Sequence, residues 1–495
     1  MQQELSRRQA LAWFAQMGVG AAAASAFASA VLGAQRQQRP NILYIMSDDH
    51  ASHAISAYGS RINKTPNIDR IAREGVRLDN CFCTNSICTP SRASIMTGQY
   101  SHKNNVYTLA DPLDPARPNV AKYLQSAGYQ TAMIGKWHLH TEPSGFDYWN
   151  ILPGQGVYYD PVFIDKNGKK KYEGYCTDLI GDFSINWLKN RDKKKPFFLM
   201  SHHKAPHRPW DPAPKYAKLF EGQTIPEPDN LYEKYEGRPK AVANVKMRVG
   251  EDSTKRDLKV DIPPDLKGDA LRKWAYQLYI KDYLRCIQSV DDQVGRLLEY
   301  LDSEGLAKNT IVVYTSDQGF FLGDHGWYDK RMMYEESLRM PYLVRYPGKI
   351  KPGAVNKDII LNIDFAPWFL DYAGMKTPAE MQGRSFRANL EGSTPKDWRQ
   401  AMYYRYWMHD SNDHHVPAHY GIRTKEWKLI YYYGKPLNMK GAGKTETEPD
   451  WELFHMVKDP REMKNLYRDP SHAGIVKKLK AELDRLQREV GDTPA

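Results

Sequence analysis

The sequence predicts an α/β fold: a largely parallel central sheet with helices on both faces, followed by a smaller C-terminal subdomain with an antiparallel sheet and a packing helix. Three observations carry this expectation. Short apolar runs of five or six residues recur as far as residue 346, helical patterns lie between them, and near residue 397 the chain turns to tyrosine- and tryptophan-rich runs.

The first run is Asn41-Ile42-Leu43-Tyr44-Ile45-Met46, and comparable runs fill 129–134, 197–201, 310–314 and 341–346. Apolar stretches without alternation are expected of strands covered on both faces, as in a parallel sheet. The longest helical pattern runs over about 274–301, where Tyr279, Tyr283, Cys286, Val290, Val294 and Leu301 keep helical spacing. The stretch from about 221 to 267 is polar and rich in Pro and Lys, which predicts an insertion over the surface rather than a core element. Beyond it, 401–407, 419–423 and 427–433 read as strands, and Ile475, Leu479, Leu483, Leu486 and Val490 share one face of a closing helix. These elements divide the chain into a main domain over 35–396, carrying the insertion, and an antiparallel subdomain over 397–495. A length of 495 residues exceeds that of one ordinary domain, and a hydrophobic content of 41% suffices for a core. Five cysteines are too few for a disulfide scaffold, and Cys81 and Cys83 read as packing residues.

Residues 1–34 read as a twin-arginine-type signal peptide. Ser6-Arg7-Arg8-Gln9-Ala10-Leu11 precedes an alanine-rich apolar run, and Ala28-Ser29-Ala30 and Leu32-Gly33-Ala34 offer cleavage sites. The alternative is a retained anchor; the small residues and weak hydrophobicity favour removal. No other run is apolar enough to span a bilayer, so the expectation is an exported protein, periplasmic or else secreted or on the surface, with no stable membrane span once the signal is gone. The net charge of +11 favours anionic partners. No nucleic-acid module accompanies it, so a polyanionic substrate is the reading kept.

The stretch Cys88-Thr89-Pro90-Ser91-Arg92-Ala93-Ser94-Ile95-Met96-Thr97-Gly98 puts a cysteine at the mouth of a short helix. Pro90 suits the first turn, where its missing N–H costs nothing, and Gly98 suits the position just past the end. Cys88 therefore sits where helix N–H groups point, a place that favours anionic groups, and Arg92 adds a positive charge one turn on. Polar clusters follow four of the expected strands, at the carboxyl ends where open parallel sheets bind ligands. They are Asp48-Asp49-His50, Gly135-Lys136-Trp137-His138, His202 through His207, and Asp317-Gln318-Gly319. Any one of them alone reads as a turn, a cap or a solvated loop. Their succession around the cysteine helix is what singles them out.

The Cys88 stretch resembles the formylglycine-forming signature of type I sulfatases in the alkaline phosphatase superfamily, and the resemblance extends from about Pro40 to Tyr467. It implies a catalytic domain over 35–396, with Asp48, Asp49, Asp317 and Gln318 as ligands of calcium, a hard cation that takes oxygen donors. Many relatives carry Asn where Gln318 stands; both supply an amide oxygen. The resemblance implies that Cys88 is oxidised to formylglycine (3-oxoalanine) by a formylglycine-generating enzyme and that Arg92 holds it. It identifies Lys136, His138, His207 and Lys330 as the other catalytic residues. A sulfate ester presents a hindered sulfur wrapped in anionic oxygen, so its hydrolysis needs cations, a strong nucleophile and an acid for the leaving alcohol. In the family mechanism the formylglycine hydrate attacks sulfur, His207 protonates the leaving oxygen and His138 is the base that frees sulfate.

The run 317–341, with Tyr334-Glu335-Glu336-Ser337, is similar to glucosamine-6-sulfatase-like bacterial members, which implies a sulfated sugar as substrate. His325, His419 and Arg423 are the candidates for reading that sugar; for His419 and Arg423 the alternative is stitching the subdomain to the core. Two other functions stay open from sequence: a phosphonate or phosphate monoester hydrolase using the same site, and a non-catalytic glycan-binding protein.

Overall fold

A computed structural model describes residues 39–494. The expected signal over 1–34 lies outside the described residues. Ten strands build the main sheet: β1 (Asn41–Ser47), β2 (Val76–Leu78), β3 (Gln130–Lys136), β4 (Tyr148–Leu152), β5 (Val162–Asp165), β6 (Gly168–Lys171), β7 (Phe197–His203), β8 (Thr310–Ser316), β9 (Tyr342–Arg345) and β10 (Ala354–Asn356). Their order is β10-β2-β9-β8-β1-β7-β3-β4-β5-β6, and the five in the middle, β8 to β4, run parallel. Each of β1, β7 and β8 is buried along its whole length, which is why their sequences are apolar without alternation.

Register decides where the reactive residues emerge. Ser47 lies opposite both His203 and Ser316, and Gly135 lies opposite His202. The chain therefore leaves four adjacent strands at one edge, delivering Asp48, Lys136, Lys204 and Asp317 to the same rim.

Helices cover both faces. On one side α1 (Pro66–Arg73), α4 (Cys176–Asn190) and α5 (Gly268–Ser303) pack Ile68, Ile180 and Val290 with Leu43 and Ile45 of β1. On the other, α2 (Cys88–Thr97), α3 (Val120–Ser126) and α6 (Phe365–Tyr372) pack Ile95, Leu124 and Phe369 with Ile42, Tyr44 and Met46. Alternate residues of one strand thus feed two cores, as the pleat requires.

The C-terminal part is a second sheet, β11 (Ala401–Tyr406), β12 (His419–Thr424), β13 (Trp427–Tyr432) and β14 (Asp450–His455), antiparallel in that order. Helix α7 (Ala473–Val490) buries Leu479, Leu483 and Leu486.

Two expectations need amendment. The 341–346 run does form a strand, β9, but it is antiparallel to both neighbours. The chain turns back at the rim after β8 and re-enters the sheet without a crossover, so it must run the other way. The 221–267 stretch is not confined to the surface: Leu231, Val242, Val245, Met247 and Val249 are fully buried. They are few and scattered among polar residues, which hid them, and they sit under the rim segment through Tyr328 N–H to Met247 O and Val249 N–H to Gly326 O bonds of 2.8 and 2.9 Å. Among the described residues, no helix is long and apolar enough to cross a membrane.

Candidate active site

Helix α2 begins at Cys88, carries Pro90 in its first turn and ends on Gly98 in the left-handed conformation (φ 65°). All ten of its residues are buried, so it has no solvent-facing side and holds Cys88 in a fixed place. The Cys88 Sγ lies 3.4 Å from Asp48 Oδ1. Burial, against the pull of Lys330, pushes the thiol up to about 12, so the unmodified side chain is a neutral thiol and a poor nucleophile.

Arg92, one turn along, braces the cluster. Its Nε donates to Asp317 Oδ2 at 3.0 Å, its Nη1 donates to the Lys136 carbonyl at 2.5 Å, and its Nη2 lies 3.8 Å from Asp48 Oδ2. It touches residues from three strand ends and reaches Cys88 only through them. Lys136 Nζ donates to Asp48 and to Gln155. Lys330 Nζ sits 2.6 and 2.7 Å from the two Asp49 oxygens. Lys330 is presented between Asp329 (φ 77°) and Arg331 (φ 87°), two non-glycine residues in left-handed backbone. Such conformations cost energy and persist where surrounding contacts fix them. Here Asp329 Oδ1 accepts from the Lys330 N–H and from Arg331 Nε, and Tyr404 OH donates to the Arg331 carbonyl.

Two glycines make this convergence sterically possible. A Cβ on Gly135 (φ 100°) would collide with the His202 carbonyl oxygen, and one on Gly319 with the Glu336 carbonyl oxygen. They neighbour Lys136 and Gln318.

Asp48, Asp49 and Asp317 are buried, with ligating oxygens within 4.8 Å of one another. Asp49 N–H donates to Asp317 Oδ1 at 3.2 Å. Gln318 Nε2 donates to Asp49 Oδ1 at 2.5 Å, while Gln318 Oε1 is buried with no hydrogen-bond partner. Burial pushes the Asp49 carboxyl upward, against Lys330. Burial also acts upward on Asp317, but Arg92, Lys136 and Lys330 prevail and hold it below its ordinary value. Three crowded carboxylates and an amide oxygen without a donor make an oxygen-only set that fits a hard divalent cation. Asp48, Cys88 and His207 group within the same distance, so the nucleophile position shares a carboxylate with that set.

The two sequence-predicted histidines flank the cluster. His207 Nδ1 donates to the Arg208 carbonyl at 2.7 Å, which turns Nε2 toward Asp49 Oδ2, 3.8 Å away. Burial first, then Lys136, Lys330 and Lys204, hold its pKa well below the ordinary value. His138, in left-handed backbone (φ 53°), has its carbonyl fixed by Thr89 Oγ1 at 3.0 Å and its Nδ1 without a partner. Burial and the cations Lys136 and Arg92 keep it neutral.

The three residues expected to read the sugar are buried and held by protein groups, each with one buried polar atom left without a hydrogen-bond partner. His325 is buried, with Nδ1 2.6 Å from Glu233 Oε2 and Arg238 beside it. His419 is buried between Tyr404 and Tyr406, its Nδ1 donating to Pro417 O at 2.7 Å. Arg423 pairs with Glu335 at 3.2 Å over the Phe82 ring, a contact that ties β12 to the main domain. For His419 and Arg423 these are the contacts that the stitching alternative expects. Sequence reasoning passed over others. Asp329 and Arg331 flank Lys330, and His414 Nε2 lies 3.2 Å from Asp329 Oδ2 with Nδ1 buried and unpartnered. Asp329 and Arg331 stood beside a motif residue; His414, in the loop between β11 and β12, carried no local signal.

Comparison with known proteins gives the family. The family model described as Sulfatase matches residues 40–375, and that described as N-sulphoglucosamine sulphohydrolase, C-terminal, matches 323–489. The chain is 44% identical over 503 aligned positions to an N-acetylglucosamine-6-O-sulfatase of Bacteroides thetaiotaomicron, covering 92% of this chain and 88% of that one. It is 30% identical to a human N-acetylglucosamine-6-sulfatase, over 74% of this chain and 67% of the other. A solved structure of a protein in complex with its substrate, D-glucosamine-2-N,6-O-disulfate, matches with a TM-score of 0.87 at 44% identity, over 92% of this chain and 98% of that one. The chain belongs to the sulfatase family and is a sulfuric ester hydrolase.

Proposed function

We propose that this enzyme removes the 6-O-sulfate of glucosamine-type sugars in a sulfated glycan, using formylglycine derived from Cys88 and calcium held by Asp48, Asp49, Asp317 and Gln318. The observation that carries the substrate is the 44% identity, over 92% of the chain, to a structure described with a 6-O-sulfated glucosamine as its substrate. When bound, the metal supplies positive charge that draws electron density from the sulfate oxygens and the nucleophile. Formylglycine, once formed and hydrated by water, would supply a hydroxyl nucleophile where the thiol of Cys88 is inert.

The chain's own residues do the rest. Lys330 is a buried ammonium group held by Asp49, and Lys136, whose pKa burial holds well below its ordinary value, takes up a proton when the anionic ester arrives; both then neutralise the oxygens of the departing sulfonyl group in a medium where such contacts count most. Arg92 keeps Asp317 and the Lys136 backbone in register with Cys88. With its Nδ1 proton committed to the Arg208 carbonyl, His207 protonates the leaving sugar oxygen from Nε2, which requires the imidazolium form. The cations that disfavour this form are offset when the anionic ester binds among them. His138, neutral, takes the proton as sulfate leaves. Asp329, Arg331 and His414, buried beside Lys330, offer the sugar hydroxyls donors and acceptors. Maturation by a formylglycine-generating enzyme precedes export under the twin-arginine-type signal, a route that carries folded protein to the periplasm or the surface.

Peptide mass spectrometry across Cys88 on enzyme from its native host tests the nucleophile. The expected result is an aldehyde in place of the thiol, with sulfate release abolished in Cys88→Ala and suppressed by a calcium chelator. A fully active enzyme carrying an unmodified thiol would refute it.

A further inference from the structure

A polar cavity of about 330 Å³ opens between the loop after β1 and the segment before β9. Ser52 and His53 form one wall, Arg77 and Asp79 of the β2 region another, and Arg339 and Lys357 the remainder. Three permanent cations therefore surround one carboxylate. Arg77 is neutralised, with Nε 2.8 Å from Asp79 Oδ1 and its guanidinium over the Tyr58 ring. His53 and Asp324 balance each other at 3.1 Å. Among the described residues, Arg339 and Lys357 have no carboxylate oxygen within 4 Å, Glu335 feels the Arg339 charge only from further away, and the Arg339 Nε is buried without a hydrogen bond.

A buried guanidinium donor left open is uncommon in folded proteins, because it forfeits water and gains nothing in return. What satisfies it is an acceptor-rich anion, and the guanidinium fork suits the paired oxygens of sulfate or carboxylate. Ser52 is 4% exposed and its hydroxyl adds a neutral donor or acceptor. The cavity is also joined to the catalytic rim. Ser52 follows Asp48 and Asp49 in one loop, and the Arg339 backbone packs against Gly319, whose N–H donates to Ser337 O at 2.9 Å.

We propose that this cavity is an oxyanion site separate from the Cys88 cluster. Its ligand is either free sulfate, the product of the reaction, or a sulfate or carboxylate group carried by another sugar of the same glycan. Both sources share the chemistry that Arg339 and Lys357 recognise, and they are separable by experiment.

The metal-loaded full-length enzyme is compared with Arg339→Gln/Lys357→Gln in two assays at constant ionic strength. Titration with sodium sulfate reads the free anion: two sites in the wild type and one in the double variant identify free sulfate. Steady-state kinetics reads the glycan-borne group: a KM for a multiply sulfated oligosaccharide raised at least about tenfold, as loss of a charged hydrogen bond predicts, with unchanged kcat/KM on the sulfated monosaccharide, identifies that source. Lys357→Gln alone, at an exposed side chain outside the packing, must weaken the same signal several-fold. That single variant decides the matter if the double variant does not fold. Equal sulfate stoichiometry and equal oligosaccharide KM in wild type and variants overturn the proposal.

Discussion

Arg92 shows how much one side chain does at this rim. Its three nitrogens reach a carboxylate from the end of β8, a carbonyl from the end of β3 and a carboxylate from the loop after β1. A lysine there delivers the charge but not the fork. Arg92→Lys is therefore expected to lower kcat by about 10²- to 10³-fold, the range for losing one preorganised donor, while circular dichroism and Tm stay near wild type. A kcat within twofold of wild type would show that the positive charge alone suffices. Cys88, Arg92 and Lys136 were legible in the sequence because each sits in a short local pattern near a glycine, a proline or a strand end, whereas Lys330 was named only through the family resemblance. The partners of His325, His419 and Arg423 were not, since neighbourhood in sequence does not say which protein groups a polar side chain will meet. His325 sits within five residues of Lys330 and yet turns away, to Glu233.

At the scale of elements, the joint between α1 and α5 explains a buried charge far from the chemistry. Asp291, on α5, accepts from the Asn67 and Ile68 N–H groups in the first turn of α1, at 3.1 and 2.8 Å, and so serves as its missing N-terminal cap. Burial nonetheless pushes its carboxyl up to about 6 from an ordinary 3.8. The unfolded chain ionises this group near 3.8 while the folded chain holds the proton to about 6, so stability falls as pH rises through that window and is level above it. Asp291→Asn keeps an acceptor for α1 and is expected to flatten that part of the stability curve, worth about 3 kcal/mol at most, in denaturant titrations from pH 4 to pH 7. A variant curve parallel to wild type would assign the slope elsewhere. Buried strands and amphipathic helices were readable from periodicity. The direction of β9 was not, because an apolar run fixes burial on both faces and leaves polarity to the connection. Strand β14 escaped notice for a related reason: Glu452 is fully buried there, answered by Tyr334 and Tyr432 hydroxyls at 2.6 and 2.7 Å.

Across the whole molecule, the C-terminal sheet completes the rim from a distance. Lys428 of β13, fully buried, holds Glu462 at 2.7 Å and Glu335 at 3.0 Å, and Glu335 also takes Arg423. Glu335 follows Lys330 by five residues, so this cluster anchors the segment that presents Lys330. Lys428→Met removes the charge that answers two buried carboxylates and is expected to cost about 3 to 5 kcal/mol, read as a lowered Tm, with Lys330-dependent turnover falling in the survivors. A Tm within a degree or so of wild type would mean that the cluster is only a neighbour. Only the stitching alternative for Arg423 anticipated part of this; Lys428 and Glu462 lie in stretches with no motif and meet only through the fold.

The converging groups are proposed to act on a 6-O-sulfated glucosamine. The most direct test is kcat/KM for sulfate release from isomeric N-acetylglucosamine monosulfates, with an aryl phosphate as the outgroup. A preference of at least about 10²-fold for the 6-O isomer, roughly what a few buried polar contacts to a sugar confer, with slower turnover of the phosphate, is the predicted result. Equal rates on all isomers, or faster hydrolysis of the phosphate, would contradict it.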